Sequence, residues 1–369
     1  MMNWMKAAFG ALGAVALLTT AACGSTAEPG GSEAGGKTAT DITVKDNTNT
    51  SVYQSLKLEK IDKLPNMRGI TWLSKGSVVT DKENTSMKPV SVEGEERYPH
   101  NLYKYDLAKG TDTALKESEV NLGAPQVSPD GQHLFYWETE ETTGWPFILN
   151  LQSGEAVAAG KEDGFIQEGA WLDNEHVVFS NMKGDLISAA LDGTTKVLVE
   201  TGTFNVKSIK VANSVVYYIT GEDGQLNAYD AKTGEVRQVL KSAEWVIPSN
   251  DGTRLAIVKK TADTKRALVL TDLEGNEKAT LARGTQIFGT SWSGDDSKIA
   301  YTINSDNDNE KGLFVSNTES AEQFQISADM DNVSDPVAWS PEGDKMLLSQ
   351  SVMENEKYHF VTSIITISE

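Results

Sequence analysis

Seven positions along this chain share one place in a repeating pattern. Arg68, Gly123, Gln167, Lys207, Glu244, Phe288 and Asp335 each stand about four residues before the end of an apolar segment, and Glu168 adjoins Gln167. If the segments are the inner strands of one closed ring, Arg68, Glu168, Lys207, Glu244 and Asp335 meet at the mouth of its channel. Mixed charges gathered there suit a polar ligand or a peptide terminus. Two or three carboxylates, or a His–carboxylate pair, brought within ~3–9 Å would suit acid–base or glycoside chemistry. The alternative is that the charges pair with one another on a solvated rim.

Other chemistry-bearing groups are sparser. Asp306, Asp308 and Glu310 alternate with Asn and precede Gly312, the spacing of oxygen donors in a calcium loop. Position six of that loop is Lys311 rather than Gly, and no bidentate Glu closes it, so a solvated acidic loop is the competing reading; Asp329, Asp331 and Asp335 are read alike. The four histidines, His100, His133, His176 and His359, are scattered without metal-ligand spacing. No G-x-S-x-G elbow is present, since GTSWSG at 289–294 misses the spacing, and no Gly-rich loop follows a strand. No cofactor is expected, calcium being the one candidate. Trp145, between Gly144 and Pro146 at a loop end, is the aromatic best placed for an exposed contact, with Tyr98, His100 and Tyr103 flanking a long insertion.

Composition narrows the classes. The 369 residues carry 33 Lys+Arg against 53 Asp+Glu, a formal charge of −20. Nucleic acid is excluded by that balance, because phosphate binding needs a basic surface. A single cysteine excludes a disulfide framework and a Cys-rich zinc site.

The first 50 residues read as an address. Lys6 precedes twelve unbroken apolar residues at 7–18, too few to span a bilayer and right for the core of a secretory signal. Small residues then lead to Cys23. This segment resembles a bacterial lipobox, which implies cleavage after residue 22 and lipid on the Cys23 thiol; an ordinary signal peptide cleaved after Ala22 is the alternative. Two acyl chains suffice for stable anchoring without a basic patch. Residues 23–50 are rich in Gly, Ser, Thr, Asp and Glu and read as a flexible tether. The domains are therefore 1–22 signal, 23–50 lipidated Cys and linker, and 51–369 folded.

Two turn motifs alternate through the folded part. The first ends apolar segments as WLSKG (72–76), VSPDG (127–131), WLDNE (171–175), PSNDG (248–252), WSGDD (292–296) and WSPEG (339–343), with a degraded copy ending at Ser214. The second has the form D-x-x-x-G, as at 106–110, 150–154 and 230–234. Seven copies at a period of about 45 residues match a four-stranded propeller blade. Between the turns lie short β-branched and aromatic runs such as HLFYW (133–137), VVYYI (215–219) and KMLLS (345–349). Trp72, Trp137, Trp171, Trp245, Trp292 and Trp339 recur at blade period and are expected to pack blade on blade. The fold class is an all-β single propeller of seven blades, with six or eight left open.

VSPDG at 127–131 and WSPEG at 339–343, each followed by an apolar strand, resemble the WD40-like repeats of TolB-type propellers over roughly 60–369. GQLNAYDAKTGE at 224–235 is similar to the PQQ-like propeller repeat. The resemblance implies the fold and leaves function open, because one fold hosts scaffolds, binders and enzymes.

The seventh repeat lacks an outer strand, and the alternating segment 52–60 is expected to supply it. The A–B and C–D turns, short and uniform, share one face. The B–C loops vary and share the other with the D–A crossovers; that second face is expected to bind. The repeats leave no room for an appended hydrolase domain. The leading expectation is a monomeric, lipid-anchored extracytoplasmic module, at the cell surface or in the periplasm, binding a protein or cell-envelope component. A propeller enzyme (lactonase, lyase or glycan-acting hydrolase) and a small-ligand or metal sensor are the alternatives.

Overall fold

The computed structural model describes residues 56–368, apart from 93–94, 141–142, 162, 306–309, 331–332, 334 and 355–356. The signal, Cys23 and the tether lie outside the described residues.

Both recurring turns are local hydrogen-bonded devices. In the first, a buried serine hydroxyl donates to an aspartate two residues on, Ser128 to Asp130, Ser249 to Asp251 and Ser293 to Asp295, each at 2.6 Å. The same oxygen accepts the N–H five residues on, from His133, Arg254 and Lys298. In blade seven, Ser340 accepts from Lys345 N–H and donates to Asp344 instead. In the second turn, the side-chain oxygen of Asp106, Asn150, Asp230 or Asn317 accepts the N–H groups two and three residues on. The chain then needs a left-handed residue. Gly110, Gly154 and Gly234 supply it at φ of 65–78°, and Ala321 takes the same place at 58°.

These turns titrate. Burial alone would raise the Asp295 carboxyl, but Ser293, Ser297 and the Ser297 N–H hold it at about 2. A folded pKa below the ordinary 3.8 means that the native state binds fewer protons. The contribution is complete above about pH 4 and is lost as pH falls toward 2. Asp295→Asn should therefore melt lower than the parent at pH 7, with the gap closing between pH 4 and 2 in thermal scans. A constant gap would contradict the assignment.

In chain order the strands begin with β1 (Lys57–Pro65). Blade one follows: β2 (Arg68–Ser74), β3 (Ser77–Glu83), an inserted hairpin of β4 (Val90–Val92) and β5 (Glu95–Arg97), then β6 (His100–Asp106) and β7 (Thr111–Lys116). Blade two is β8 (Asn121–Val127), β9 (His133–Glu140), β10 (Thr143–Asn150) and β11 (Ala156–Ala158). Blade three is β12 (Gly164–Trp171), β13 (His176–Asn181), β14 (Leu186–Ala190) and β15 (Thr195–Val199). Blade four is β16 (Val206–Ala212), β17 (Val215–Thr220), β18 (Gln225–Asp230) and β19 (Val236–Leu240). Blade five is β20 (Ala243–Pro248), β21 (Leu255–Ala262), β22 (Lys265–Thr271) and β23 (Glu277–Gly284). Blade six is β24 (Gln286–Trp292), β25 (Lys298–Asn304), β26 (Gly312–Asn317) and β27 (Gln323–Ser327). Blade seven has β28 (Ala338–Trp339), β29 (Lys345–Glu354) and β30 (Lys357–Ser368), completed by β1 in the order β1-β30-β29-β28. This is a seven-bladed β-propeller of antiparallel four-stranded blades. Blades two and three also touch edge to edge, where Thr143 and Gly144 of β10 pair with Phe165 and Gly164 of β12.

The core sits between blades. Seven apolar clusters fill the seven interfaces, from Trp72, Val78, Leu347 and Ile364 between blades seven and one to Ala256, Leu268, Trp292 and Phe314 between five and six. The tryptophans add polar ties. Trp72, Trp171, Trp292 and Trp339 each donate the indole N–H to a carbonyl of the preceding blade's inner strand, at Ala338, Gln126, Ile247 and Ser291. Trp245 departs from the expectation and is 39% exposed. In blade five the place that Trp292 takes beside its turn serine, paired with Ile299, belongs to Pro248, paired with Leu255. Trp245 lies three residues before it, nearer the mouth.

The ring closes as expected in kind and later in sequence. The outer strand of blade seven is 57–65 rather than 52–60, pairing from Lys57 with Ser368 to Pro65 with Val361; residues 51–55 lie outside the described residues. Because β1 runs toward the crossover into β2, Lys57 and its partner Ser368 both sit on the face of the uniform turns. The junction is riveted beyond the sheet. Gly69 N–H donates to Thr362 Oγ1 at 2.7 Å, and the Ser349 hydroxyl donates to the Gly69 carbonyl at 2.7 Å.

On the other face, part of the loop variation proves to be strand. Blades two, five and seven carry long B–C hairpins, β9–β10, β21–β22 and β29–β30. Blade one carries an inserted hairpin, β4–β5. Its base is locked: Asn84 N–H donates to the Pro99 carbonyl, and buried Asn84 and Asn101 bond to each other and to Glu117, His100 and Ser118.

Candidate functional site

Each inner strand except short β28 has a break in register near its crossover end, for example between Gly69 and Thr71 or Lys207 and Lys210. Such bulges bend a strand and re-aim its side chains. In β8, β16 and β24, left-handed backbone appears there at Ala124, Ser208 and Gly289. The mouth residues flank these bulges, and most of their polar groups are taken up by other groups of the ring.

Arg68 forms a bidentate pair with buried Asp335, Nε to Oδ2 at 2.7 Å and Nη2 to Oδ1 at 2.6 Å. Its guanidinium lies over Phe360 with its carbon 5.0 Å from the ring centre, and Nη1 stands 3.7 Å from Asp81. Burial pulls the guanidinium pKa down, but the hydrogen bonds it donates to Asp335 and the charges of Asp335 and Asp81 outweigh it and leave it raised. Asp81, 3% exposed, also holds His100 Nδ1 at 2.9 Å. Four groups from three strands and a crossover thus form one linked polar chain across the closing junction.

Glu244 pairs bidentately with Arg266 of its own blade, both contacts at 2.9 Å. Glu168 accepts the Ile209 N–H of the next blade's bulge at 3.3 Å. Burial leaves its carboxyl raised, countered only in part by Lys210, the Ile209 and Ser208 N–H groups and Lys207. In the next blade Ser208 plays the same part, its hydroxyl accepting Val246 N–H at 3.0 Å. Glu168 is therefore a blade-to-blade cap. Lys207 and Phe288 are half-buried, and no side-chain description applies to Gln167.

The remaining candidates lie farther out on the same face. Trp145 is 44% exposed, opposite Glu138 across β9–β10. Tyr98 is half-buried at the foot of the insertion. Asp306 and Asp308 lie outside the described residues, and Glu310 is exposed. Among the described residues, no three His, Cys, Asp or Glu side chains come together as metal ligands do. Missed by sequence reasoning were Asp81, which sits mid-pattern in β3, and two exposed apolar residues, Met182 and Phe204. Phe204 stands alone in a polar crossover, and that isolation was the available signal.

No protein-family model and no curated protein matches the chain. Solved structures do. An oligogalacturonate lyase in complex with manganese is similar at 16% identity and a TM-score of 0.57, over 85% of this chain and 99% of that one. An oligogalacturonate lyase from Vibrio parahaemolyticus is similar at 14% and 0.59, over 85% and 98%. TolB from Acinetobacter baumannii gives 14% and 0.48, over 69% and 64%. At these identities the likeness to the lyases is one of fold, a β-propeller.

Proposed function

We propose that this chain is a lipid-anchored extracytoplasmic recognition module, with TolB-type repeats, that binds a protein or cell-envelope component through its variable-loop face. One observation carries the reading. Of the ten exposed large apolar residues among the described residues, Val120, Trp145, Met182, Phe204, Met353 and Tyr358 lie in B–C turns, hairpin ends or crossovers of that face, and none of the ten lies in an A–B or C–D turn. Val157, Val197 and Val236 are on outer strands, and Trp245 is in β20. Aromatic anchors in a polar surround are what an interface rests on. The described chain enters its ring on the opposite face, at Lys57.

Two experiments test this reading. Cys23→Ala should release folded protein into the soluble or medium fraction; protein still membrane-bound after a salt wash would end the lipoprotein reading. Replacing residues 87–97 by a short Gly-Ser turn, which spares the Asn84–Asn101 lock, should keep the melting temperature and weaken recovery of crosslinked partners. Unchanged recovery, together with loss on mutating the uniform turns, would place binding on the other face.

The second reading, a propeller enzyme, is favoured by the His100–Asp81 pair. A buried carboxylate on Nδ1 orients Nε2 as a base, as in hydrolytic triads. In that case His100→Asn should abolish a turnover while leaving partner recovery intact.

A further inference from the structure

Resting on that reading of the variable-loop face, we propose that Phe204 and Met182 form its primary docking point, for a basic protein segment with an apolar cleft. Phe204 is 69% exposed and Met182 37% exposed. They belong to different elements that the fold presses together: Met182 to the turn after β13, Phe204 to the crossover from β15 to β16. Gly184 marks the contact. Its φ is +86°, and a Cβ there would stand 1.7 Å from the Thr203 carbonyl oxygen and 3.0 Å from the Phe204 Cα. Only glycine lets the two backbones approach so closely.

The support is rigid. The Thr201 hydroxyl lies 2.8 Å from the Gly184 carbonyl and 2.9 Å from the Thr203 carbonyl, and it accepts Thr203 N–H. The Thr203 hydroxyl accepts Asn205 N–H, and the Asn205 carbonyl accepts Gly221 N–H from blade four. The Asn181 side chain accepts Lys183 and Asp185 N–H and fixes the turn that bears Met182. A crossover that needed only to connect would have no use for a phenyl ring held out in water by this framework. Backbone bonds made before binding lower the entropic cost of association.

The occupant follows from charge and chain direction. Exposed Glu200, Glu222 and Asp223 border the patch, and Lys183 and Lys241, the latter 3.5 Å from Asp223, offset them in part. The chain as a whole is at −20. A partner rimmed by Lys or Arg is attracted, and an anionic bilayer is repelled. The described chain begins at the opposite face, where Lys57 pairs with Ser368.

The test is selection of a phage-displayed random peptide library on the full chain, immobilised through a C-terminal tag. Enriched peptides should combine aromatic or aliphatic residues with Lys and Arg. They should bind Phe204→Ser at least tenfold more weakly, and Gly184→Ala likewise, because displacing the crossover splits the pair. The 87–97 replacement should leave them bound. Peptides indifferent to Phe204→Ser but lost on the 87–97 replacement would sink this patch and spare the variable-loop face. Peptides indifferent to both and lost on Thr233→Glu in a uniform turn would sink both. Failure to enrich any peptide would also refute the patch. Two further results would replace the occupant: Cys23→Ala protein binding phosphatidylglycerol vesicles through Phe204, which assigns a lipid surface, or sedimentation showing a dimer that Phe204→Ser dissociates, which assigns a second copy.

Discussion

Removing residues 56–65 should abolish cooperative folding of the ring, whereas removing 24–45 should leave its melting temperature unchanged. The deleted strand contributes Leu58 and Ile61 to the cluster between blades six and seven and Leu64 to the one between seven and one. These are half-buried side chains, each adding roughly half of the ~1.5–3 kcal/mol that full burial brings. The strand also pairs along β30 from Ser368 to Val361. Each ladder bond contributes about 1 kcal/mol net. The total rivals the ~5–15 kcal/mol by which a whole domain is stable. The loss is also topological, since β1 is what ties blade seven to the start of blade one. Calorimetry of both deletions decides it, and equal melting would refute closure by this strand.

Asp335→Ala should be the most damaging single substitution at the mouth. Arg68 and Asp335 have side-chain exposures of 19% and 8%. Breaking such a pair from one side leaves a buried charge and costs ~3–5 kcal/mol. Spread over the unfolding entropy of about 310 residues, at ~2.1 cal/mol/K each, that lowers Tm by about 5–8 °C. The double variant Arg68→Met/Asp335→Leu should regain part of the loss, because an apolar pair of similar volume removes both charges and leaves Asp81 held by His100. If the double variant melts below Asp335→Ala, the pair acts through something other than its charge.

The blades were legible because each turn is written within a few residues. A serine, an aspartate two later and a glycine specify VSPDG at 127–131 without help from the rest of the chain. Strand β1 was harder to place. As an outer strand it buries little and alternates weakly, so 52–60 and 57–65 read alike. Trp245 misled because Pro248 holds the packing position in blade five, and Trp245 lies three residues before it. The mouth was legible in outline and not in pairing. Arg68 meets Asp335 across 267 positions of sequence, a distance erased only when the ring closes. Glu244 meets Arg266 by reaching past the strand between them. The turn after β13 and the crossover bearing Phe204 come together through Gly184, whose role lies in a backbone approach that no single-sequence pattern records.

The two faces of this ring differ in kind: one carries uniform self-capped turns and both ends of the described chain, the other hairpins, crossovers and exposed aromatic residues. The central claim is that the second face binds. It is tested most directly by a photo-reactive amino acid placed singly at Trp145 or Phe204 and, for comparison, at Thr233 or Glu342, followed by irradiation of the intact cells that make the protein. Discrete adducts from positions 145 and 204, with none from 233 and 342, are the predicted result. Discrete adducts from 233 and 342 alone would contradict it.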